Sequence, residues 1–84
     1  GVPYHALEGY LAKLVRLEVP AKRVKEPFLY RMVTEYNLQP NILEANLSPD
    51  RCGSMLLELK GKPQDIEKGI LFLREADIEV AADD

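Results

Sequence analysis

The stretch NILEANLSPDRCGSMLLELK, residues 41–60, has two apolar runs on either side of a group of turn-forming residues. The turn formers occupy residues 48–53 and predict a hairpin connection between two strands, 41–47 and 54–60. Apolar residues alternate along both strands, which is typical of strands with one buried face. The predicted buried positions are Leu43, Ala45, Leu47, Met55, Leu57 and Leu59. We therefore expect an antiparallel pair of strands that packs one face on a core.

Two further strands flank this hairpin along the chain. Residues 13–19 alternate in the same way and stop at Pro20, with Val15, Leu17 and Val19 on the predicted core side. Residues 78–81 form a last short strand, with Ile78 and Val80 facing the core.

A first helix is predicted over residues 26–36. Pro27 suits the first turn of a helix. The apolar residues that recur with helical spacing are Leu29, Met32, Val33 and Tyr36. Asn37 tolerates the left-handed conformation that ends many helices, and Pro40 prevents the helix from resuming.

A second helix is predicted from Pro63 to about residue 76. Asp65 and Glu67 place negative charge near its first turn, where the helix dipole favours it. Its predicted buried stripe is Ile66, Gly69, Ile70 and Leu73. Gly69 costs about 1 kcal/mol relative to alanine inside a helix, so we expect another element to pass close to it.

The element order is strand, helix, strand, strand, helix, strand, which predicts an α+β, ferredoxin-like sandwich. In this fold a four-stranded antiparallel sheet carries both helices on one face. We expect one domain over residues 12–82, preceded by a linker or short helix over residues 1–11. Residues 83–84 form an acidic tail.

The face of the sheet opposite the helices is predicted to be open. It would display Leu14, Arg16, Glu18, Ile42, Glu44, Asn46, Ser54, Leu56, Glu58 and Lys60. Arg16 and Glu58 lie on strands that neighbour each other in this topology, so we expect them to pair. Leu14, Ile42 and Leu56 then remain as a predicted partner face, and a second copy of the chain is the commonest partner for such a face.

Composition narrows the range of functions that this chain could have. A chain of 84 residues has room for one small domain, and 46% hydrophobic with 30% charged residues is typical of a globular protein. A formal net charge of −3 and an open face without aromatic pairs argue against nucleic-acid binding. A single cysteine excludes a disulfide within the chain and a cysteine-ligated cluster held by this chain alone.

No catalytic, phosphate-binding or metal-binding motif is found, so we expect neither an enzyme nor a cofactor or metal site. His5 has no partner for catalysis, and Cys52 has no second ligand. Lys22, Arg23 and Lys25 could attract a carboxylate, or they could form a solvated loop. Without a signal peptide or lipidation motif, we expect a cytoplasmic location and no insertion into a membrane.

The sequence resembles the NIL domain family, which is named after the Asn-Ile-Leu triplet found here at 41–43. The matching positions are Pro40, Asn41, Ile42, Leu43, Ala45, Gly53, Met55, Glu58, Leu59, Gly61, Asp65, Gly69, Ile70 and Leu73. The resemblance implies a ferredoxin-like fold related to ACT-type regulatory modules. It also implies a methionine-binding domain at the C-terminus of methionine importer ATPases, which slows transport when methionine is abundant.

A second group of the family accompanies iron-sulfur ferredoxin domains, and some of its members are linked to homocysteine formation. The segment EPFLYRMV, residues 26–33, resembles that group more closely, although the cluster cysteines are absent. A further departure is Asp77, where the family usually has glycine. Asp is one of the few residues other than glycine that adopts the left-handed conformation, so the fold is expected to persist.

The resemblance also suggests ligand-binding residues, namely Asn41, Ile42 and Met55. Asn41 could hydrogen-bond a ligand, or it could close the loop after the first helix. Met55 could line an apolar pocket, or it could fill the core. Our leading hypothesis is a sensor that binds methionine or a related sulfur amino acid in a homodimer and controls an attached transporter or enzyme. The alternative is a non-catalytic interaction module for a ferredoxin or sulfur-transfer system, with no small ligand.

Overall fold

The computed structural model of the chain describes residues 9–82, and their element order confirms the predicted fold. The elements are β1 (Leu11–Val19), a 3-10 helix (Ala21–Arg23), α1 (Phe28–Tyr36), β2 (Gln39–Ser48), β3 (Arg51–Gly61), α2 (Pro63–Glu75) and β4 (Glu79–Ala82). The strands form one sheet in the order β2-β3-β1-β4, and all three pairings are antiparallel. Of the predicted terminal segments, residues 1–8, which include His5, and the acidic tail lie outside the described residues.

The core lies between the sheet and the two helices, and most of it was predicted. The buried hydrophobic residues are Val15, Leu17, Val19, Phe28, Met32, Leu38, Met55, Leu57, Leu59, Ile66, Leu73 and Ile78. Alternation along β1 and β3 identified the sheet side, and the stripe on α2 identified Ile66 and Leu73. Val33 departs from the expected helical stripe. It is 49% exposed because Phe28 and Met32 form the buried side of α1.

Leu38 is a core residue that the periodicity of the sequence does not reveal, because it lies between α1 and β2. Its side chain is 1% exposed and occupies space left by two glycines. A Cβ atom on Gly61 would lie 2.7 Å from Leu38 Cδ2, and a Cβ atom on Gly69 would overlap Leu38 Cδ1. The side chain that lies closest to Gly69 thus belongs to the connection between α1 and β2 rather than to a strand or helix.

Both helices end on a residue in the left-handed conformation, as predicted. Asn37 has φ 56° and Asp77 has φ 65°. After α2, the Ile78 amide donates to the Leu73 carbonyl at 3.0 Å and the Asp77 amide to the Arg74 carbonyl at 3.1 Å. This pair of bonds is the Schellman arrangement, and the accompanying apolar contact joins the buried Ile78 and Leu73.

The second strand departs most from the prediction. Ile42 lies opposite Leu57, but Glu44 lies opposite Leu56, so Leu43 has no partner of its own. This β-bulge shifts the alternation of side chains by one residue. Ile42, which was predicted on the open face, therefore lies on the helix-covered side of the sheet.

The predicted burial of Leu43, Ala45 and Leu47 is wrong, because all three are exposed. Ala45 does lie opposite the buried Met55, on the expected side. Leu47 packs over Gly53, where a Cβ atom would overlap its Cδ2. These side chains stay exposed because the helix layer does not extend over this part of β2.

The hairpin turn is shorter than predicted. β2 continues to Ser48 and β3 begins at Arg51, so only Pro49 and Asp50 form the turn, and Ser48 Oγ donates to the Asp50 carboxylate. Cys52 consequently lies in β3 rather than in the turn. β1 begins at Leu11, one residue before the predicted domain boundary.

We expect Gly69→Ala to lower the free energy of unfolding by about 1–3 kcal/mol, because the new methyl group overlaps Leu38. Helix propensity alone predicts the opposite effect, an increase of about 1 kcal/mol in the free energy of unfolding. Leu38→Ala alone should cost about 2–5 kcal/mol. Urea denaturation of both variants and the double variant measures this coupling. If Gly69→Ala is as harmful in the Leu38→Ala background as in the wild type, the contact does not explain the glycine.

We expect Asp77→Gly to be more stable than Asp77→Ala by about 1 kcal/mol, because only glycine accepts a positive φ without strain. The two variants lose the same ion pairs, which run from Asp77 Oδ2 to Lys22 Nζ at 3.5 Å and to the Arg23 guanidinium at 3.7 Å. Their comparison by thermal denaturation therefore isolates the backbone term. Equal stability of the two variants would contradict a strained backbone at this position.

Candidate partner and ligand surfaces

β2 forms one edge of the sheet and is the most exposed strand of the fold. Its ten residues are all exposed or half-buried. It pairs with β3 on one side, and no described strand pairs with its other side. Ile42, Leu43 and Leu47 are 51%, 46% and 37% exposed. A long apolar edge strand of this kind readily pairs with another chain, because its outward backbone groups lack strand partners.

The exposure of β2 follows from the lengths of the elements. Ten strand residues span about 33 Å at ~3.3 Å per residue. The nine residues of α1 span only about 13 Å at 1.5 Å per residue, so α1 covers less than half of β2. The α2 helix contacts β3 and β4 and lies on the other side of the helix layer.

Two apolar side chains of α1 are also exposed. Tyr30 is 67% exposed and Val33 is 49% exposed. Both lie on the side of α1 that is turned away from α2, because Arg31 and Tyr36 face the Phe72 ring at 4.6 Å and 5.1 Å. Since Phe28 and Met32 form the buried side of α1, Tyr30 lies on the opposite side of the helix and points away from the sheet. We call Ile42, Leu43 and Leu47 the edge surface.

The three predicted ligand residues do not converge on one site. Asn41 lies opposite Glu58 on the open face of the sheet. Ile42 and Met55 lie on the helix-covered side, where Met55 is only 3% exposed. The structure therefore brings Ile42 and Met55 to one side of the sheet and Asn41 to the other. Strand alternation alone separates Asn41 from Ile42, and the bulge at Leu43 decides which face each of them takes.

The open face is more polar than predicted. Leu14 and Leu56 lie on it as expected, but both are half-buried. They sit diagonally, because Leu14 is opposite Glu58 and Leu56 is opposite Arg16. The Glu58 carboxylate lies 3.7 Å from Lys60 Nζ of the same strand. With Ile42 on the other side, the predicted partner face of three aliphatic residues does not form.

A groove of about 650 Å³ runs between α1 and α2, on the side of the fold opposite the open face of the sheet. Two arginines that line it have ion-pair partners. The Arg23 guanidinium lies 2.8 Å from the Glu26 carboxylate, and Arg31 Nε donates to Glu35 at 2.7 Å. The hydrogen bond from Arg31 lowers the pKa of Glu35, and the same bond raises the pKa of Arg31.

The positive charges of the basic group at residues 22–25 are therefore partly neutralised by nearby carboxylates. Arg23 pairs with Glu26 and Asp77, and Lys22 pairs with Asp77. These contacts favour the interpretation of residues 22–25 as a solvated loop. Surface ion pairs of this type contribute little to the free energy of unfolding.

Three further features of residues 9–82 bear on function, namely metal ligands, free thiols and membrane-spanning helices. This part of the chain contains no group of three or more His, Cys, Asp or Glu side chains arranged to hold a metal ion. The Cys52 thiol is exposed and free. No helix in the described region is long and apolar enough to cross a membrane.

A sequence model of the NIL domain matches residues 13–82. The chain is 31% identical over 68 residues to the methionine import ATP-binding protein MetN of Protochlamydia amoebophila, which covers 77% of this chain and 20% of that protein. It is 37% identical over 71 residues to an uncharacterised protein of Synechococcus elongatus, covering 82% of this chain and 88% of that protein. The chain thus spans about a fifth of the MetN relative but most of the cyanobacterial one.

Solved structures give the same result for the fold. The C-terminal domain of an ABC transporter ATP-binding protein from Enterococcus faecalis superposes with a TM-score of 0.74 at 29% identity, covering 83% of this chain and 81% of that one. The C-terminal domain of the MgtC protein from Mycobacterium tuberculosis gives a TM-score of 0.58 at 14% identity, which supports the fold alone.

Proposed function

The chain belongs to the NIL domain family, and on that premise we propose that it is a regulatory domain that senses a small molecule. Its ligand is methionine or a related sulfur amino acid, bound in a homodimer, and its output is the control of an attached transporter or enzyme in the cytoplasm. The observation that carries this proposal is the family match over residues 13–82, together with relatives that are named as methionine import ATP-binding proteins.

The edge surface supports the homodimer. Pairing of β2 with β2 of a second copy about a twofold axis would satisfy the outward backbone groups of both strands and bury their apolar side chains. Glu44 is the one charged residue of β2, so little charge repulsion opposes such pairing.

The mechanism requires no chemistry from the domain. A ligand that binds one dimer arrangement more tightly than another shifts the population toward that arrangement, by an amount equal to its differential binding free energy. An attached ATPase would respond to the change in separation or orientation of its two regulatory domains. A coupling of this kind is typically about 1–3 kcal/mol, which changes the affinity or activity several-fold to about a hundredfold.

A second candidate function is an interaction module without a small ligand, which serves a ferredoxin or a sulfur-transfer system. The similarity to the Synechococcus elongatus protein favours it, because 88% of that relative is matched and the domain there makes up most of the chain. Such a module would exert its effect by binding a separate protein. Its edge surface would then hold that protein instead of a second copy.

Leu43→Lys should disrupt the homodimer, because a lysine on an edge strand opposes pairing with another strand. Leu71→Lys is the matched control, since Leu71 is also about half exposed, at 56% against 46% for Leu43, but lies on α2. Light scattering at millimolar protein concentration should report a dimer for the wild type and for Leu71→Lys, and a monomer for Leu43→Lys. A dimer in all three would place the interface elsewhere, and a monomeric wild type would exclude the homodimer.

Calorimetric titration with L-methionine tests the sensor against the interaction module. The sensor should release or absorb heat and gain thermal stability in millimolar methionine, because a ligand that binds only the folded state stabilises it. Norleucine has a methylene group in place of the sulfur atom, so comparing its affinity with that of methionine measures the contribution of the sulfur to the binding free energy. Absence of heat and of any thermal shift with methionine, homocysteine and cysteine would exclude the proposed ligands and favour the interaction module.

A further inference from the structure

The groove between α1 and α2 is bordered by a second amphipathic stripe of α2, separate from the residues that pack on the core. Four of its lining residues follow one another at i, i+3, i+4 and i+7, which places them on one face of the helix. They are Lys68, Leu71, Phe72 and Glu75, and we call them the groove stripe. Leu71 is exposed and Phe72 is half-buried, so the groove stripe presents apolar surface between two charged ends.

The two charged ends of the groove stripe are unpaired. Within residues 9–82 neither Lys68 nor Glu75 has an ion-pair partner. On the α1 side of the groove, by contrast, the Arg31 guanidinium already binds the Glu35 carboxylate. Seven residues of helix advance about 10.5 Å, so a free cation and a free carboxylate stand two turns apart along α2.

The floor of the groove is held in place by contacts between the two helices. The Phe72 ring stacks with Tyr36 at 5.1 Å between centroids, and the Arg31 guanidinium lies 4.6 Å from its centre. Phe28, which is buried in the core, also lines the groove. Because both helices contribute to this floor, an apolar side chain of a partner can pack on it without rearrangement of the domain, which lowers the cost of binding.

We propose that this groove binds an amphipathic helix of a partner protein, with one acidic and one basic residue seven positions apart and apolar residues between them. Positions i and i+7 of any helix lie on one face and about 10.5 Å apart. A partner helix laid along α2 therefore places its carboxylate on Lys68 and its cation on Glu75 at the same time. Its intervening apolar side chains then cover Leu71, as in other complexes in which a helix lies in a groove.

A single helix fits this groove better than a second copy of the domain does. The groove stripe is self-complementary, because an antiparallel α2 of a second copy would place Lys68 opposite Glu75 twice. That copy, however, would present α1 beside α2, a layer about 20 Å wide at ~10 Å per helix. The proposed homodimer pairs through β2 and leaves the groove uncovered. The inference thus goes beyond the proposed function and requires neither a dimer nor methionine.

Four synthetic peptides test the charge pattern. Each is held helical by a hydrocarbon staple on its outer face and carries leucines between two variable positions seven residues apart. The variable pair is Glu and Lys, Glu and Glu, Lys and Lys, or Gln and Gln. Fluorescence anisotropy with the full chain measures the affinities. The mixed peptide should bind most tightly, and each like-charged peptide about fivefold more weakly, because a like-charged contact replaces one exposed ion pair.

Reversing one charge of the groove stripe should change the preferred peptide. Lys68→Glu leaves two carboxylates on the stripe, so the Lys and Lys peptide should become the tightest binder. Glu75→Lys should favour the Glu and Glu peptide in the same way. Lys62→Glu and Glu79→Lys are the matched controls, because they make the same changes of charge at exposed positions outside the groove, and both should keep the wild-type order. Circular dichroism establishes that each variant is folded.

The apolar part of the stripe has its own variant. Leu71→Ala should weaken all four peptides severalfold, since it removes exposed apolar surface that the partner helix covers. The order of the four peptides should stay the same, because the charged ends are intact.

The outcomes distinguish a partner helix from the other occupants. A preference for the mixed peptide that changes as stated in both charge variants supports the inference. Equal binding of all four peptides, or binding of none, overturns it. Self-association that Lys68→Glu abolishes, and that adding Glu75→Lys to it restores, would assign the groove to a second copy and also overturns it. The methionine titration is independent of these results, so the proposed function stands or fails separately.

Discussion

The insertion of Leu38 between Gly61 and Gly69 is the constraint on which the arrangement of the other elements depends. Its side chain enters where two glycines leave room, one at the end of β3 and one inside α2. The contact joins the end of α1, the start of β2, the end of β3 and the body of α2. Four of the six strands and α-helices of residues 9–82 therefore meet at one point, and a Cβ atom on either glycine would crowd the Leu38 side chain.

This contact anchors only the beginning of β2. From there the strand continues for about 30 Å along β3, at ~3.3 Å per residue, beyond the reach of the short helix α1. Its apolar residues remain exposed, and the bulge at Leu43 turns Ile42 toward the helix side. The same geometry that closes the core at one end of the sheet leaves an apolar edge strand at the other. The proposed homodimer would place its second copy at that edge.

The sequence predicted the element order, the fold and most of the core, because each signal was local and periodic. Alternation along β1 and β3 identified buried residues such as Leu17 and Leu57. The conformations of Asn37 and Asp77 followed from residue type. The misses had physical causes that alternation cannot reveal. One inserted residue at Leu43 placed the preceding Ile42 on the face opposite to the predicted one, while Glu44 and Ala45 kept their predicted faces. An isolated leucine in a connection, Leu38, proved to be central.

The candidate site was less predictable than the fold. The Asn-Ile-Leu triplet was taken as one binding feature, but a strand directs neighbouring side chains to opposite faces, and Asn41 and Ile42 are separated by the sheet.

The most direct test of the account is hydrogen exchange at the β2 amides that do not bond to β3, measured over a range of protein concentrations. If β2 is the dimer edge, these amides should be unprotected in dilute solution and gain protection as the dimer forms, with a further gain in methionine. Amides that stay unprotected when light scattering reports a dimer would contradict the account, because the two copies would then pair through another surface.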